Sequence, residues 1–117
     1  MSEPVRQVSV EEIGSAVVIR VQGRLANEAT GQQLLQTIDA IPPTRVGKTV
    51  VLDLSGVEFL PTLCLGILVE MQKRCHERSL VLKLAALRPA IRKVLSVTKL
   101  ETSFEICESV EDAATAT

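Results

Sequence analysis

Residues 49–68 read TVVLDLSGVEFLPTLCLGIL, and the way this stretch divides decides the fold. Thr49 to Leu54 is β-branched and aliphatic with one aspartate, Asp53, near its end. A continuous apolar run of that length predicts a central strand buried on both faces. Ser55-Gly56 is a turn signal. Beyond Pro61, the residues Cys64, Ile67, Leu68, Met71 and Cys75 recur at i, i+3, i+4, i+7 and i+11. That spacing predicts a helix starting near Thr62, with Glu70, Gln72, Lys73, Arg74 and Glu77 on its outer side. A buried strand that delivers a turn and a helix start to one sheet edge is where α/β proteins place their working surface.

The flanks extend the pattern. Val17, Ile19 and Val21 alternate with Arg20 and Gln22, as a strand with one buried face requires. Gly14-Ser15 separates this run from Gln7–Ile13 and predicts a two-residue hairpin. Gly23 closes the strand, and Asn27 is a candidate N-cap for a helix carrying Leu34, Leu35, Ile38 and Ile41. Pro42-Pro43 ends that helix, and Gly31 weakens it by about 1 kcal/mol relative to alanine. On the other side, Leu80 to Leu84 reads as a strand. Pro89 suits a first helical position, and Ile91, Val94 and Leu95 give that helix an apolar face. Phe104 and Ile106 mark a short last strand, and Ser109 caps a final helix holding Val110, Ala113 and Ala114.

The expected order is therefore ββαβαβαβα in a single domain spanning residues 1–117: a mixed, mostly parallel sheet of about five strands, an N-terminal hairpin and about four helices. Alternating strands and helices demand right-handed crossovers. At 46% hydrophobic residues and a mean hydropathy of +0.27, the 117-residue chain is too apolar for disorder. No apolar run approaches the roughly 18 residues of a membrane span, and residues 1–12 lack signal-peptide architecture. A soluble, cytoplasmic protein with no membrane insertion is expected.

Thirteen basic residues against fourteen acidic leave a net charge of −1, with two phenylalanines and no Trp or Tyr. Neither an electrostatic footprint nor a stacking platform for nucleic acid is present. Two basic clusters, Lys73/Arg74/His76/Arg78 and Arg88/Arg92/Lys93, read as solvated helix faces. Cys64, Cys75 and Cys107 form no C-x-x-C, and adjacent Cys75 and His76 point about 100° apart on a helix. Buried reduced thiols are expected, with no metal and no cofactor.

Catalytic readings fare poorly. Cys64 lies twelve residues before the single histidine, about 18 Å along one helix, and His76 is too close in sequence to face Cys75. Asp53 could serve as an acid at the strand end, but an Asx turn with Ser55 and Gly56 is the simpler reading. No phosphate-cradling glycine loop occurs. Thr62 remains. A hydroxyl at a helix start accepts a bond from an unpaired N–H. A phosphoryl group at the same place would meet those donors and the positive end of the helix dipole, and would put about two negative charges on the surface. Capping and switching both stay open.

At these residues the chain resembles the STAS domain family, which includes bacterial anti-sigma factor antagonists and the cytoplasmic tails of sulfate transporters. Residues 21–25 (VQGRL) resemble the family strand ending in G-x-L, residues 51–60 (VLDLSGVEFL) its central strand and turn, and Leu65-Gly66-Ile67-Leu68 the following helix. Leu87-Arg88-Pro89 with Val94-Leu95, then Phe104 and residues 109–113, are similar to its later segments. The resemblance implies a non-enzymatic regulatory module that binds a protein partner, an anti-sigma factor of the serine-kinase type, with self-association also possible. It places the phosphate acceptor at Thr62, in the tetrad Pro61-Thr62-Leu63-Cys64, where the family has an acid before the acceptor and a glycine at the fourth position. Another family acid, after G-x-L, is Ala26 here. The implied binding surface comprises Asn27, Glu28, Pro61, Thr62, Leu63, Cys64, Leu65, Arg88 and Pro89. A constitutive scaffold or sensory module without phosphorylation is the alternative, and a nucleotide- or lipid-binding domain a third class.

Overall fold

A computed structural model describes residues 8–13, 16–21, 28–41, 49–57 and 62–115; for residues 28–30, 62, 63 and 115 it describes the backbone alone. The elements are β1 (Val8–Ile13), β2 (Ala16–Val21), α1 (Glu28–Asp39), β3 (Thr49–Asp53), α2 (Thr62–Glu77), β4 (Val81–Ala85), α3 (Pro89–Val97), β5 (Glu105–Cys107) and α4 (Val110–Thr115). This is the expected ββαβαβαβα order. The fourth strand begins one residue later than the apolar run suggests, and Phe104 is buried just ahead of β5 instead of within it. Gln7, the Gly14-Ser15 turn, Gly23, Ala26, the Asn27 cap and Pro42-Pro43 lie outside the described residues.

The sheet order is β1-β2-β3-β4-β5. β1 pairs antiparallel with β2, ending at Ile13↔Ala16, and β2 through β5 are parallel. Each crossover moves one strand over in the same direction. Right-handed connections must then place α1, α2 and α3 on one face of the sheet. The core agrees: Ile19, Leu52 and Leu84 from that face pack with Leu34 and Ile38 of α1, Leu68 and Met71 of α2, and Ile91 and Leu95 of α3. The second face carries small residues, Ala16, Val18, Val51 and Ala85, covered by Ala113 and Ala114 of α4. The C-terminal helix can sit close because the buried apolar residues of the strands beneath it are alanine and valine, with Ile13 packed at the border of the cluster. β3 is buried on both faces, as its continuous apolar sequence requires.

Side chains predicted as outward-facing turn out to tie the helices together. Arg74 bridges Glu70 at 3.0 Å and Asp39 of α1 at 2.6 Å. Arg78 donates through both terminal nitrogens to the carbonyls of Ile38 and Ile41. α1 has no basic residue in its own last turn, so Arg78 supplies the cation that a helix C-terminus favours, sharing the Ile38 carbonyl with the N–H of Ile41. Two of the four side chains in that cluster are thus structural. α2 also buries a wider arc than its stripe predicts: Leu65 joins Cys64, Leu68, Met71 and Cys75 in the core, whereas Ile67 is only half-buried. A helix lying against both α1 and the sheet has two contact faces, not one.

Candidate functional site

The helix starts of α1, α2 and α3 follow the carboxyl ends of parallel strands β2, β3 and β4 and share one edge of the sheet. Because the strand order never reverses, the described residues of this edge form no switch-point crevice of the kind that receives nucleotides in doubly wound folds. It offers three loop-to-helix junctions in a row.

Asp53 is the anchor of that edge. It is 7% exposed, and its two oxygens have separate tasks. Oδ1 accepts from the backbone N–H of Ser55 at 3.0 Å, which is the expected Asx turn. Oδ2 accepts from Nε of Arg20 at 3.2 Å, across the β2–β3 pair in which the two residues stand opposite each other. Arg20 also reaches Glu11 on β1, and these carboxylates, Glu11 foremost, hold its guanidinium firmly protonated. A charged row, Glu11–Arg20–Asp53, therefore runs across three strands and fixes the start of the β3–α2 turn.

The neighbouring junction is tied to the same turn. Arg88 donates from Nε to the carbonyl of Ser55 at 2.8 Å. It occupies the N-cap position of α3 with extended backbone and no side-chain cap, and Pro89 follows in the first turn. Between β4 and Arg88, Ala86 adopts φ 57, a left-handed conformation that costs a residue with a Cβ about 1 kcal/mol relative to glycine. It is held there by its N–H bond to the carbonyl of Cys107 at 3.2 Å.

Thr62 and Leu63 are the first two residues of α2, and no acid occupies that first turn. Glu28 opens α1. Pro61 and Asn27 lie outside the described residues, and no side-chain geometry is assigned to Glu28, Thr62 or Leu63. Cys64 and Leu65, expected on the binding surface, are buried at 4% and 8% exposure and support the helix mouth from beneath. Arg88 and Pro89 are exposed beside it. Sequence reading missed Arg20 and Glu11. The alternation of β2 marked Arg20 as off the core face, but nothing local paired it with Asp53.

The thiols are poorly placed for nucleophilic work. Burial pushes the Cys75 thiol up to about 11, against a slight opposing pull from Arg78, and burial raises Cys64 as well. An attacking cysteine needs the opposite shift. Among the described residues no group of three His, Cys, Asp or Glu side chains is arranged to hold a metal ion, and no helix is long and apolar enough to cross a membrane.

Comparison with known proteins places this architecture. Residues 8–108 match the family model described as "Mlab, STAS domain". The anti-sigma-F factor antagonist RsfA of Mycobacterium tuberculosis is 24% identical over 113 residues, covering 95% of this chain and 87% of RsfA. Among solved structures, an anti-sigma factor antagonist from Mycobacterium paratuberculosis superposes with a TM-score of 0.76 at 28% identity, over 93% of this chain and 91% of that one. A STAS domain protein from Planctomyces limnophilus, at 23% identity, gives 0.79 over 93% and 96%. With 101 of its 117 residues inside the family match, and with the sheet order and helix placement described above, the chain belongs to the STAS domain family.

Proposed function

We propose that this chain is a non-enzymatic regulatory module of the anti-sigma factor antagonist kind, and that it binds an anti-sigma factor of the serine-kinase type at the edge formed by the α1, α2 and α3 starts. The observation that carries the reading is the bonded frame of that edge. Asp53 and Arg20 set the β3–α2 turn, and Arg88 ties the α3 start to Ser55. Among the described residues the frame forms no switch-point crevice for a small ligand, and a bonded edge of helix starts is suited to a protein face. The relatives named as anti-sigma factor antagonists support the same class. The contact surface comprises Asn27, Glu28, Pro61, Thr62, Leu63, Arg88 and Pro89, with Cys64 and Leu65 packed behind it.

Thr62 is the switch position in this proposal. A phosphate there would lie at the first turn of a 16-residue helix, where unpaired N–H groups and the dipole favour an anion. It would also place about two negative charges in the contact. The test is affinity capture from native lysate with wild-type and Thr62→Glu baits, read by mass spectrometry. Recovery of an ATP-binding anti-sigma factor by wild type, and its loss with Thr62→Glu, is the expected result. Capture of no such factor by wild type refutes the proposal.

A second reading keeps the contact and drops the phosphate. The first turn of α2 has no acid to orient a hydroxyl or hold a divalent ion, and Cys64 stands buried where the family has a glycine. If both baits retain the same partner, Thr62 is a cap and the module is a constitutive scaffold.

A further inference from the structure

We infer that a groove beside α3 binds an acidic segment of a protein partner, seated by one apolar side chain. The inference rests on the reading of this chain as a protein-binding module and names the chemistry of a contact next to the helix mouth. The groove, about 470 Å³, is lined by Leu87, Pro89, Arg92, Lys93, Ser96 and Glu101. Leu87 is half-buried against the core and, with Pro89, offers an apolar floor. Arg92 and Lys93 are exposed on its wall, with the Ser96 hydroxyl one turn further along the same helix.

The charges are arranged against the interest of the isolated fold. Arg92 and Lys93 are adjacent like charges at the fourth and fifth positions of a nine-residue helix whose first turn contains no acid. Arg92 closes that first turn, near the positive end of the dipole, where a cation is unfavourable. Among the described residues neither makes an ion pair, while Arg20, Arg74 and Lys83 each have a carboxylate within 4 Å. α4 shows the ordinary arrangement, with Glu111 and Asp112 in its first turn. Glu101 is the single acid of the lining and leaves it with a net positive charge. Carboxylates from outside would complete the balance, and an apolar residue between them would cover Leu87 and Pro89. The bond from Arg88 to Ser55 keeps this groove beside the proposed contact edge, so one partner can span both.

The test uses the full chain, labelled with ¹⁵N, titrated with the peptide acetyl-EELEE-amide. A neutral acetyl-QQLQQ-amide peptide and inorganic phosphate form parallel arms. Saturable amide shifts at Arg92, Lys93 and Ser96 are expected with the acidic peptide, with a dissociation constant below about 1 mM. The double charge reversal Arg92→Glu/Lys93→Glu should weaken binding about tenfold or more, and Glu101→Gln should strengthen it about twofold. Because all three positions are exposed, folding is checked by circular dichroism, and the opposite sign of Glu101→Gln guards against a merely damaged variant. No saturation by about 5 mM peptide overturns the inference, and so do equal shifts from the neutral peptide. Phosphate alone reproducing and competing away the shifts reduces the groove to a simple anion site and overturns it as well. Thr62→Glu should leave peptide binding unchanged. Failure of the anti-sigma capture with intact peptide binding therefore sinks the proposed function and leaves the groove standing.

Discussion

Gly31→Ala is the substitution in which local and tertiary effects oppose each other most directly. By helix propensity, alanine at this position of α1 should stabilise the protein by about 1 kcal/mol. The structure reverses the sign. An added Cβ would lie 2.9 Å from Cγ1 of Ile67, 3.2 Å from its Cδ1 and 3.4 Å from its Cγ2. Cγ1 is bonded directly to the Cβ of Ile67, and a β-branched side chain within a helix is almost confined to one χ1 rotamer. The clash therefore moves α1 away from α2, at the roughly 1–3 kcal/mol that overpacking costs. The net expectation for Gly31→Ala is a loss of about 1 kcal/mol. Ile67→Ala deletes all three contacting atoms. In that background Gly31→Ala should recover its propensity and stabilise by about 1 kcal/mol, a coupling of roughly 2 kcal/mol between the sites. Urea unfolding of the four proteins, followed by circular dichroism and fitted with a common m-value, measures the cycle. If Gly31→Ala alone stabilises wild type, or the two changes are additive, α1 and α2 do not approach here as described.

Gly66 makes the complementary case: a Cβ there meets nothing within 4 Å, so Gly66→Ala should stabilise by about 1 kcal/mol in the same unfolding assay. Asp53→Ala removes the bonds to Arg20 and Ser55 and should cost about 2 kcal/mol, with hydrogen exchange rising in the β3–α2 turn and at Arg88. Cys75 predicts a pH dependence. Its folded thiol is raised to about 11 from the ordinary 9.0, so above pH 9 the unfolded chain releases a proton that the folded chain retains. Stability is then fully present below pH 9 and falls as pH rises toward 11, by roughly 3 kcal/mol in all. Cys75→Ala should show a shallower alkaline decline than wild type, and identical slopes would refute the assignment.

Much of the architecture is set by short-range chemistry and was legible in the chain alone. The alternation around Arg20, the continuous apolar run before Asp53 and the helical spacing from Cys64 to Cys75 each express a backbone period over neighbouring residues. Pro89 starts α3, the Asx turn at Asp53 forms with Ser55, and the Ser109 hydroxyl accepts the N–H of Asp112 at 3.1 Å. All of these depend on residues within three positions of one another.

The tertiary structure decided what those short-range rules cannot reach. Arg20 finds Asp53 across 33 positions, Arg88 finds Ser55 across 33, and Arg78 caps α1 across 40. Each is an ordinary surface arginine until packing brings an acceptor to it. Leu65 passed from expected surface to core because α2 lies against both α1 and the sheet. Gly31 changed from a weak point of α1 to a place where Ile67 of α2 leaves no room for a Cβ. Sequence periodicity sets which face of each element is apolar. How widely that face is covered, and which charges meet at its borders, follows from the distances between elements, and those depend on every side chain packed between them.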